Sequence, residues 1–200
     1  MKQNAAIRKW KRIQRRKPTA YIEYVHIPKT GGTFVKSILS HTKIISISSY
    51  TKGTHARATN VKNINFTVIR HPVDRFESYM NYKYGGKVLP LDRKKTKTSL
   101  NEIFSNMSLK RLEKIKKKFF PLIYYLKNID IIITINMLND FLGHLGYDID
   151  SKDYNLKNIS VKKRGYLNRK NRAIIADLYK EDMNLYNNLK QRQLIYEPIN

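Results

Sequence analysis

The chain has 200 residues, 41% of them hydrophobic, which is enough for one domain with a proper core. Its 40 Lys and Arg residues against 15 Asp and Glu residues give a net charge of +25. The sequence has no cysteine, which excludes disulfides and thiolate metal sites. The excess of positive charge favours a polyanionic partner such as nucleic acid, an acidic polysaccharide, an anionic membrane or a multiply phosphorylated small molecule.

Residues 1–19 are a basic N-terminal tail that Pro18 ends. The tail has no apolar run long enough for a signal peptide or a membrane anchor, so we expect a soluble, cytoplasmic protein without a membrane span. It fits a short amphipathic helix or a disordered arm, and a solvated tail is the interpretation that we favour. Residues 20–200 are predicted to form a single domain.

Short apolar segments alternate with helical patterns along this domain. Strands are predicted at residues 21–27, 43–47, 66–69 and 130–134. Helices are predicted from the end of the first loop to about residue 40, and then over 72–84, 99–107, 112–119, 137–145 and 172–190. Ser99 is the expected N-cap of the helix at 99–107. The expected inward residues of the last helix are Ile175, Leu178, Leu185 and Leu189. The alternation predicts an α/β domain with a central, mainly parallel sheet flanked by helices.

The stretch from Tyr21 to Leu39, YIEYVHIPKTGGTFVKSIL, combines a strand, a loop and a helix. We call residues 28–33 (Pro-Lys-Thr-Gly-Gly-Thr) the Gly-pair loop. A strand that turns through two glycines into a helix directs backbone N–H groups and the positive end of the helix dipole at one point. Such a point suits a phosphate or sulfate group. Lys29 adds a mobile cation, and Thr30 and Thr33 add hydroxyl donors.

Arg70 ends the strand at 66–69, so it is expected to lie at the same edge of the sheet as the Gly-pair loop, facing one ligand. A nucleotide kinase typically has its Lys after the glycines, in G-x-x-x-x-G-K-[ST], and an acid near a strand end to hold magnesium. Here Lys29 precedes the glycines, and Asp130 lies at the start of its strand. We therefore expect cations and amides to meet the anion without a metal.

Two segments in order, HIPKTGGT at 26–33 and VIRHPVDRFESYMNY at 68–82, resemble the cofactor motifs of sulfotransferases of the carbohydrate (heparan-sulfate 2-O-type) branch. The resemblance implies a P-loop-like, three-layer domain. It also implies transfer of a sulfuryl group from 3′-phosphoadenosine-5′-phosphosulfate (PAPS) to a hydroxyl, leaving 3′,5′-ADP. The residues that it implies for the 5′-phosphosulfate are Lys29, Thr30, Gly31, Gly32 and Thr33. Those that it implies for the 3′-phosphate are Arg70 and Ser78.

Weaker similarity extends this resemblance over most of residues 21–190. The segment LNDFLGHLGY at 138–147 is similar to the family's helix that leads to an LG pair. The N-x-S at 158–160, followed by a helix with Tyr179 and Asp182, resembles its C-terminal pattern. The segment Lys163-Arg164-Gly165 is similar to the basic loop of cytosolic sulfotransferases that touches the 3′-phosphate, which adds Lys163 and Arg164 to the expected cofactor site.

Sulfuryl transfer needs in-line geometry, a base for the acceptor hydroxyl, and stabilisation of charge on the leaving phosphate. Lys29 suits the last role. His55 is the predicted base, because histidine accepts a proton near neutrality and a histidine in the corresponding segment does this work in the resembled branch. Glu23 and Glu77 are the alternatives.

Other side chains near the motifs are predicted to be structural. His26 is expected to hydrogen-bond in support of the loop, and His71 to support the site without contacting the ligand. Arg75 is expected to form a buried ion pair rather than a cofactor contact. The segment Lys114–Lys118 is typical of a solvated helix face. The loop Lys87–Thr98 is a candidate lid for the acceptor.

The acceptor is open from the sequence, with a glycan, acidic or neutral, as the expectation. The expected lack of a membrane anchor departs from the Golgi enzymes of the family, which argues for a bacterial or viral source and against a heparan-type acceptor. Three other functions compete with a sulfotransferase: a P-loop-like nucleotide kinase that uses ATP and magnesium, a basic nucleic-acid-binding protein, and a degenerate sulfotransferase that binds nucleotide without turnover. Only the charge favours nucleic acid, so no specific nucleic acid is expected.

Overall fold

A computed structural model describes residues 5–16, 22–47, 64–84, 99–119, 121–126, 129–147 and 165–191. The strands are β1 (Ile22–Val25), β2 (Ile45–Ile47), β3 (Ile64–Ile69) and β4 (Ile131–Thr134). The first helices are α1 (Ala5–Arg16), α2 (Gly32–Leu39), α3 (Pro72–Tyr84), α4 (Leu100–Ser105) and α5 (Leu109–Lys118). The remaining helices are α6 (Leu122–Tyr125), α7 (Leu138–His144), α8 (Arg169–Leu178) and α9 (Lys180–Gln191), and a 3₁₀ turn (Ile135–Met137) precedes α7.

The four described strands form one sheet in the order β2-β1-β3-β4, and every neighbouring pair is parallel. Glu23 of β1 pairs in register with Ile45 on one side and Asn65 on the other, and Phe66 of β3 pairs with Ile131. From β1 the chain continues to β2 on one side, and from β3 it continues to β4 on the other. The winding therefore reverses between β1 and β3. The predicted α/β class with a parallel sheet is confirmed.

The sheet is covered on both faces, which explains why β3 is buried at all six positions. Alternate residues of a strand point to opposite faces. The apolar cluster on one face contains Phe66, Val68, Ile131 and Ile133 of the sheet with Val35 and Ile38 of α2 and Phe141 of α7. The cluster on the other face contains Ile69 and Ile132 with Leu122 of α6 and Tyr186 of α9. Thr67 is the polar exception inside β3, and its hydroxyl donates to the carbonyl of Val25 at 2.6 Å.

A further apolar cluster joins α3 to α4, α5 and α8, and its buried residues include Phe76, Met80, Phe104, Leu112 and Ile175. The start of α4 confirms the predicted cap, because the Ser99 hydroxyl accepts from the N–H of Glu102 at 3.1 Å. None of the helices that the structure describes combines the length and the apolar character needed to span a bilayer.

The basic N-terminal segment forms a helix, and the solvated tail that we favoured is wrong. Residues 5–16 form α1, which contacts β4, and Ile13 packs against the cluster shared by α2 and α7. Its opposite face carries the exposed side chains of Arg8, Lys11, Arg12, Arg15 and Arg16. The half-buried Ile13 packs toward the sheet, while these charges remain in water.

The single terminal helix expected at 172–190 is wrong, because α8 and α9 are separate helices that meet at Tyr179. The Tyr179 ring is buried and its hydroxyl donates to the carbonyl of Phe119 at 3.3 Å. In α9 the buried residues are Asp182 and Tyr186, whereas the expected Leu185 and Leu189 are half-buried. A polar side chain is buried here because Asp182 caps α6, accepting from the N–H of Leu122 at 2.7 Å.

Candidate functional site

A cavity of about 480 Å³ opens at the carboxyl ends of the strands. Its wall includes Thr30 and Gly31 from the Gly-pair loop, Arg70 and His71 after β3, Asn136 after β4, and Tyr186 of α9. This is the crevice between β1 and β3 where the winding reverses, the position at which open α/β sheets bind ligands. We call it the switch-point cavity. The Gly-pair loop and Arg70 therefore meet at one cavity, as the sequence predicted.

The Gly-pair loop has an unusual backbone. Lys29 has φ +67° and Gly31 has φ +92°, and both values lie in the left-handed region. Gly31 is the N-cap of α2 and provides no side-chain cap. The first helical bond of the described loop and helix runs from the N–H of Val35 to the carbonyl of Gly31 at 3.0 Å. The N–H groups of Gly32 and Thr33 thus lie at the positive end of α2.

Gly32 is required because the imidazole of His26 packs against its backbone. A Cβ at Gly32 would lie 1.8 Å from Cε1 of His26, which no side chain can occupy. His26 Nδ1 lies 3.3 Å from the hydroxyl of Tyr24. The expected supporting role of His26 is confirmed.

Two buried side chains hold the loop in this conformation. The Thr30 hydroxyl donates to the carbonyl of Ile27 at 2.8 Å, and Nε of Arg75 donates to the carbonyl of Pro28 at 3.0 Å. The prediction that Thr30 offers its hydroxyl to a ligand is therefore wrong, since that hydroxyl is used inside the loop. Thr33 remains exposed in the first turn of α2.

Arg75 has a structural role, as expected. The hydrogen bond from its Nε is to the carbonyl oxygen of Pro28, whereas the sequence predicted an ion pair with a carboxylate. Its guanidinium lies 4.0 Å from the centroid of the Phe119 ring and 5.4 Å from that of Tyr125. Burial lowers the pKa of Arg75, and the nearby Tyr125 and Asp182 act in the opposite direction. This packing ties the Gly-pair loop to α3, α5 and α6.

Lys29 is half-buried, and its Nζ lies 3.7 Å from the centroid of the exposed Tyr82 ring. The pKa of Lys29 is lowered, first by burial and second by the positive charge of Arg70. The two cations are thus close enough to repel each other. An anion bound between them would relieve that repulsion, because an opposite charge favours the charged form of each.

Ser78 lies beside the cavity and not in its described wall. Asp74, Ser78 and Tyr82 are spaced by four residues, so they share one face of α3. Asp74 lines the cavity and Tyr82 contacts Lys29, which puts the half-buried Ser78 on the helix face between them. Arg70 and the Gly-pair loop thus share the wall of one cavity, and Ser78 is not among the residues of that wall.

Burial argues against Glu23 and Glu77, the two alternative bases. Glu77 is fully buried, accepts from the N–H of Leu167 at 2.6 Å, and bonds to Arg172 at 3.2 Å. Glu23 is buried within β1, away from the carboxyl end of that strand. Neither carboxylate is placed to take a proton from a ligand in the cavity.

Several predicted site residues lie outside the described residues, namely His55, Lys163, Arg164 and the loop 87–98. The chain that follows Arg164 is nevertheless anchored, because Nδ2 of Asn81 donates to the carbonyl of Gly165 at 3.1 Å. Asn81 lies about one turn beyond Ser78 on α3. Lys163 and Arg164 therefore precede Gly165, which is held about one helical turn from Ser78.

His71 and Tyr186 form the part of the cavity wall that the sequence did not predict. Their ring centroids lie 5.2 Å apart in an edge-to-face arrangement. His71 was expected to support the site without contacting the ligand, but it lines the cavity. Tyr186 was missed because Leu185 and Leu189 suggested a different inward face for α9. The spacing of Tyr179, Asp182 and Tyr186, three and then four residues, is the signal that marks the buried face.

The described residues contain no group of three or more side chains able to hold a metal ion. Asp130 precedes β4, as predicted, and its carboxylate accepts from the N–H of Asn65 at 2.9 Å. An acidic side chain, Asp74, does line the cavity, and its Oδ1 lies 2.6 Å from Arg172. Arg172 therefore offsets the negative charge that Asp74 brings to the cavity.

Comparison of the chain with protein-family models, with curated proteins and with solved structures found no match. The two sequence motifs and the chemistry of the switch-point cavity are therefore the grounds for a proposal of function.

Proposed function

We propose that this chain is a PAPS-dependent sulfotransferase with a P-loop-like domain, which moves a sulfuryl group to a hydroxyl acceptor by in-line, metal-independent transfer. The observation that carries the proposal is the meeting of the Gly-pair loop and Arg70 at one cavity, with Lys29 beside Arg70. Backbone N–H groups at a helix start and two converging cations suit a ligand with more than one anionic group.

The donor would bind across the crevice between β1 and β3. Its 5′-phosphosulfate would accept from the N–H groups at the start of α2, near Gly31, Gly32 and Thr33, and from Lys29. Its 3′-phosphate would bind Arg70 and Ser78, with Lys163 and Arg164 from the segment that precedes the anchored Gly165. The buried bonds of Thr30 and Arg75 support this arrangement because they hold the loop ready before the ligand arrives.

Lys29 would stabilise the charge that develops on the bridging oxygen of the leaving phosphate. Burial and Arg70 lower its pKa, so its ammonium is a stronger hydrogen-bond donor than that of a solvated lysine. The acceptor is a hydroxyl, with a glycan as the expected class. His55 stays the base that the resemblance predicts.

Calorimetry with 3′,5′-ADP, with and without magnesium, tests the donor site. We expect tight binding that magnesium does not change. We expect Arg70→Ala to weaken it by about 10- to 100-fold, because a hydrogen bond to a charged group contributes about 1.5–3 kcal/mol. The matched control is Arg15→Ala, which removes an exposed arginine of α1 and should leave the affinity unchanged.

The same titrations separate the competing functions. Preference for ATP with magnesium over 3′,5′-ADP would indicate a nucleotide kinase. Binding of single-stranded DNA without binding of either nucleotide would indicate a nucleic-acid-binding protein. Either result contradicts the proposal. Binding of 3′,5′-ADP without turnover of PAPS would leave the degenerate sulfotransferase.

A further inference from the structure

His71 and Tyr186, two residues of the switch-point cavity wall, each carry a buried polar atom. Nδ1 of His71 and the hydroxyl of Tyr186 have no hydrogen-bond partner in the part of the chain that the structure describes. Tyr186 is only 2% exposed, and both residues line the switch-point cavity. Buried polar atoms are nearly always bonded, so two exceptions side by side in a cavity wall indicate a site that a polar ligand completes.

An alcohol is the group that matches this pair. A hydroxyl is at once a donor and an acceptor, as is the phenol of Tyr186, whereas Nδ1 of a neutral imidazole can accept. Tyr186 can donate to the hydroxyl oxygen while His71 accepts the hydroxyl proton. Asn136, an exposed amide on the same cavity wall, adds a donor and an acceptor of the kind that bind sugar hydroxyls.

Burial of the His71 ring favours its neutral form. Burial lowers the pKa of His71 below its usual value, and Arg172 of α8 and Lys190 of α9 act in the same direction. Asp74 of α3 opposes them, but Arg172 also pairs with Asp74. Arg70 adds a further positive charge to the cavity wall. An imidazole that is neutral near pH 7 can accept a proton.

We propose that His71 and Tyr186 form the acceptor-hydroxyl site of the sulfotransferase, with His71 as the general base in place of His55, which only the resemblance predicts. This inference rests on the proposed function. The acceptor oxygen forms a bond to sulfur while the bond from sulfur to the 5′-phosphate oxygen breaks. The hydroxyl proton moves to His71, and the electron pair of the broken bond stays on the 3′,5′-ADP phosphate, beside Lys29. Both polar atoms are buried when no acceptor is bound, so in this proposal the two rings must turn for the atoms to reach the hydroxyl.

The test measures release of 3′,5′-ADP from PAPS with desulfated heparin and with dextran oligosaccharides as acceptor probes, across a range of pH. We expect His71→Gln to lower transfer by about 100-fold or more. The affinity for 3′,5′-ADP should change by less than about threefold. Tyr186→Phe, which keeps the ring against His71, should lower transfer about tenfold. His144→Ala, at an exposed histidine of α7, is the control.

The pH profile separates catalysis from support of the fold. Wild-type kcat/KM should fall at acid pH with an apparent pKa below 6.5, and His71→Gln should lack this limb. Imidazole in solution should restore part of the transfer to His71→Ala. The inference would be overturned if His71→Gln lost 3′,5′-ADP affinity and transfer to the same extent. It would also be overturned if His55→Ala lost transfer while His71→Gln stayed active. Wild-type protein that fails to bind 3′,5′-ADP, or binds it without turning over PAPS, would overturn the proposed enzyme as well.

Discussion

At Gly32 the fold leaves no room for a side chain, because the imidazole of His26 lies where a Cβ would be. His26 cannot retreat freely, since its ring also contacts the hydroxyl of Tyr24. The close approach brings the first turn of α2 against the end of β1. The glycine is therefore needed for the position of the N–H groups at the start of α2 and not for loop flexibility.

We predict that Gly32→Ala destabilises the protein by about 1–3 kcal/mol, the usual cost of forcing extra atoms into a packed site. It should also abolish binding of 3′,5′-ADP, since α2 must move away from β1. The control is Gly143→Ala in α7, where an added Cβ meets nothing within 4 Å. Alanine favours a helix over glycine, so this control should stabilise by up to about 1 kcal/mol. Urea unfolding of both variants measures the difference, and equal midpoints would contradict the prediction.

Two residues show that a sequence motif does not predict the direction of each side chain. The motif places Thr30 at the right point in the chain, but its hydroxyl turns inward to the carbonyl of Ile27. Glu77 stands one position before Ser78 in the motif, yet it is fully buried and bonds to Leu167 and Arg172. A motif specifies residue types along the chain, whereas the direction of each side chain depends on its neighbours in the fold.

Among the secondary-structure elements, α3 connects the two halves of the candidate site. Its N-terminal end follows Arg70 and His71, and one face carries Asp74, Ser78 and Tyr82. Arg75 reaches from α3 to the carbonyl of Pro28 in the Gly-pair loop. A displacement of α3 would therefore move Arg70 and the Gly-pair loop together.

Arg75→Lys should show this coupling, because lysine keeps the charge but loses the planar stacking on Phe119 and the Nε–H bond to Pro28. We expect a loss of about 1–3 kcal/mol in the free energy of unfolding, the cost of an unsatisfied buried carbonyl, together with weaker binding of 3′,5′-ADP. Arg111→Lys is the matched control at an exposed site of α5 and should change the stability by less than about 0.5 kcal/mol. Unfolding in urea and calorimetry make the comparison. Unchanged nucleotide affinity in Arg75→Lys would show that the loop does not depend on α3.

On the scale of the whole molecule, the charge of +25 is spread over several surfaces. Exposed basic side chains cover α1, and Lys110, Arg111, Lys114 and Lys117 are exposed on α5, as the predicted solvated face requires. Such a field attracts any polyanion at long range and raises the local concentration of an anionic donor. It does not by itself define a specific nucleic-acid site.

We predict that binding of single-stranded DNA is non-specific and strongly salt-dependent. Replacing Arg8, Lys11, Arg12 and Arg15 of α1 with Gln should weaken it about as much as replacing the four exposed cations of α5. Neither variant should change the affinity for 3′,5′-ADP by more than about threefold, because these charges are exposed and screened by salt. Fluorescence anisotropy at a series of salt concentrations measures DNA binding. Loss of binding in one variant alone would reveal a dedicated nucleic-acid surface.

Local patterns were sufficient for the strands, for most of the helices and for the Gly-pair loop. An apolar run, a Gly pair and an N-cap such as Ser99 each act over a few neighbouring residues, so their consequences can be inferred without knowing the fold. The position of Arg70 could be inferred as well, because parallel strands bring their carboxyl ends to one edge.

The tertiary structure alone decided which distant residues meet. Tyr186 joins His71 in the cavity wall because Asp182, one turn earlier, caps α6 and sets the rotation of α9. The break at Tyr179 likewise depends on the carbonyl of Phe119, 60 residues away. Such contacts have no local signature, since each depends on the packing of separate elements. The meeting of the Gly-pair loop and Arg70 at one cavity was therefore predictable from the chain itself, and the wall that we propose for the acceptor became visible only in the fold.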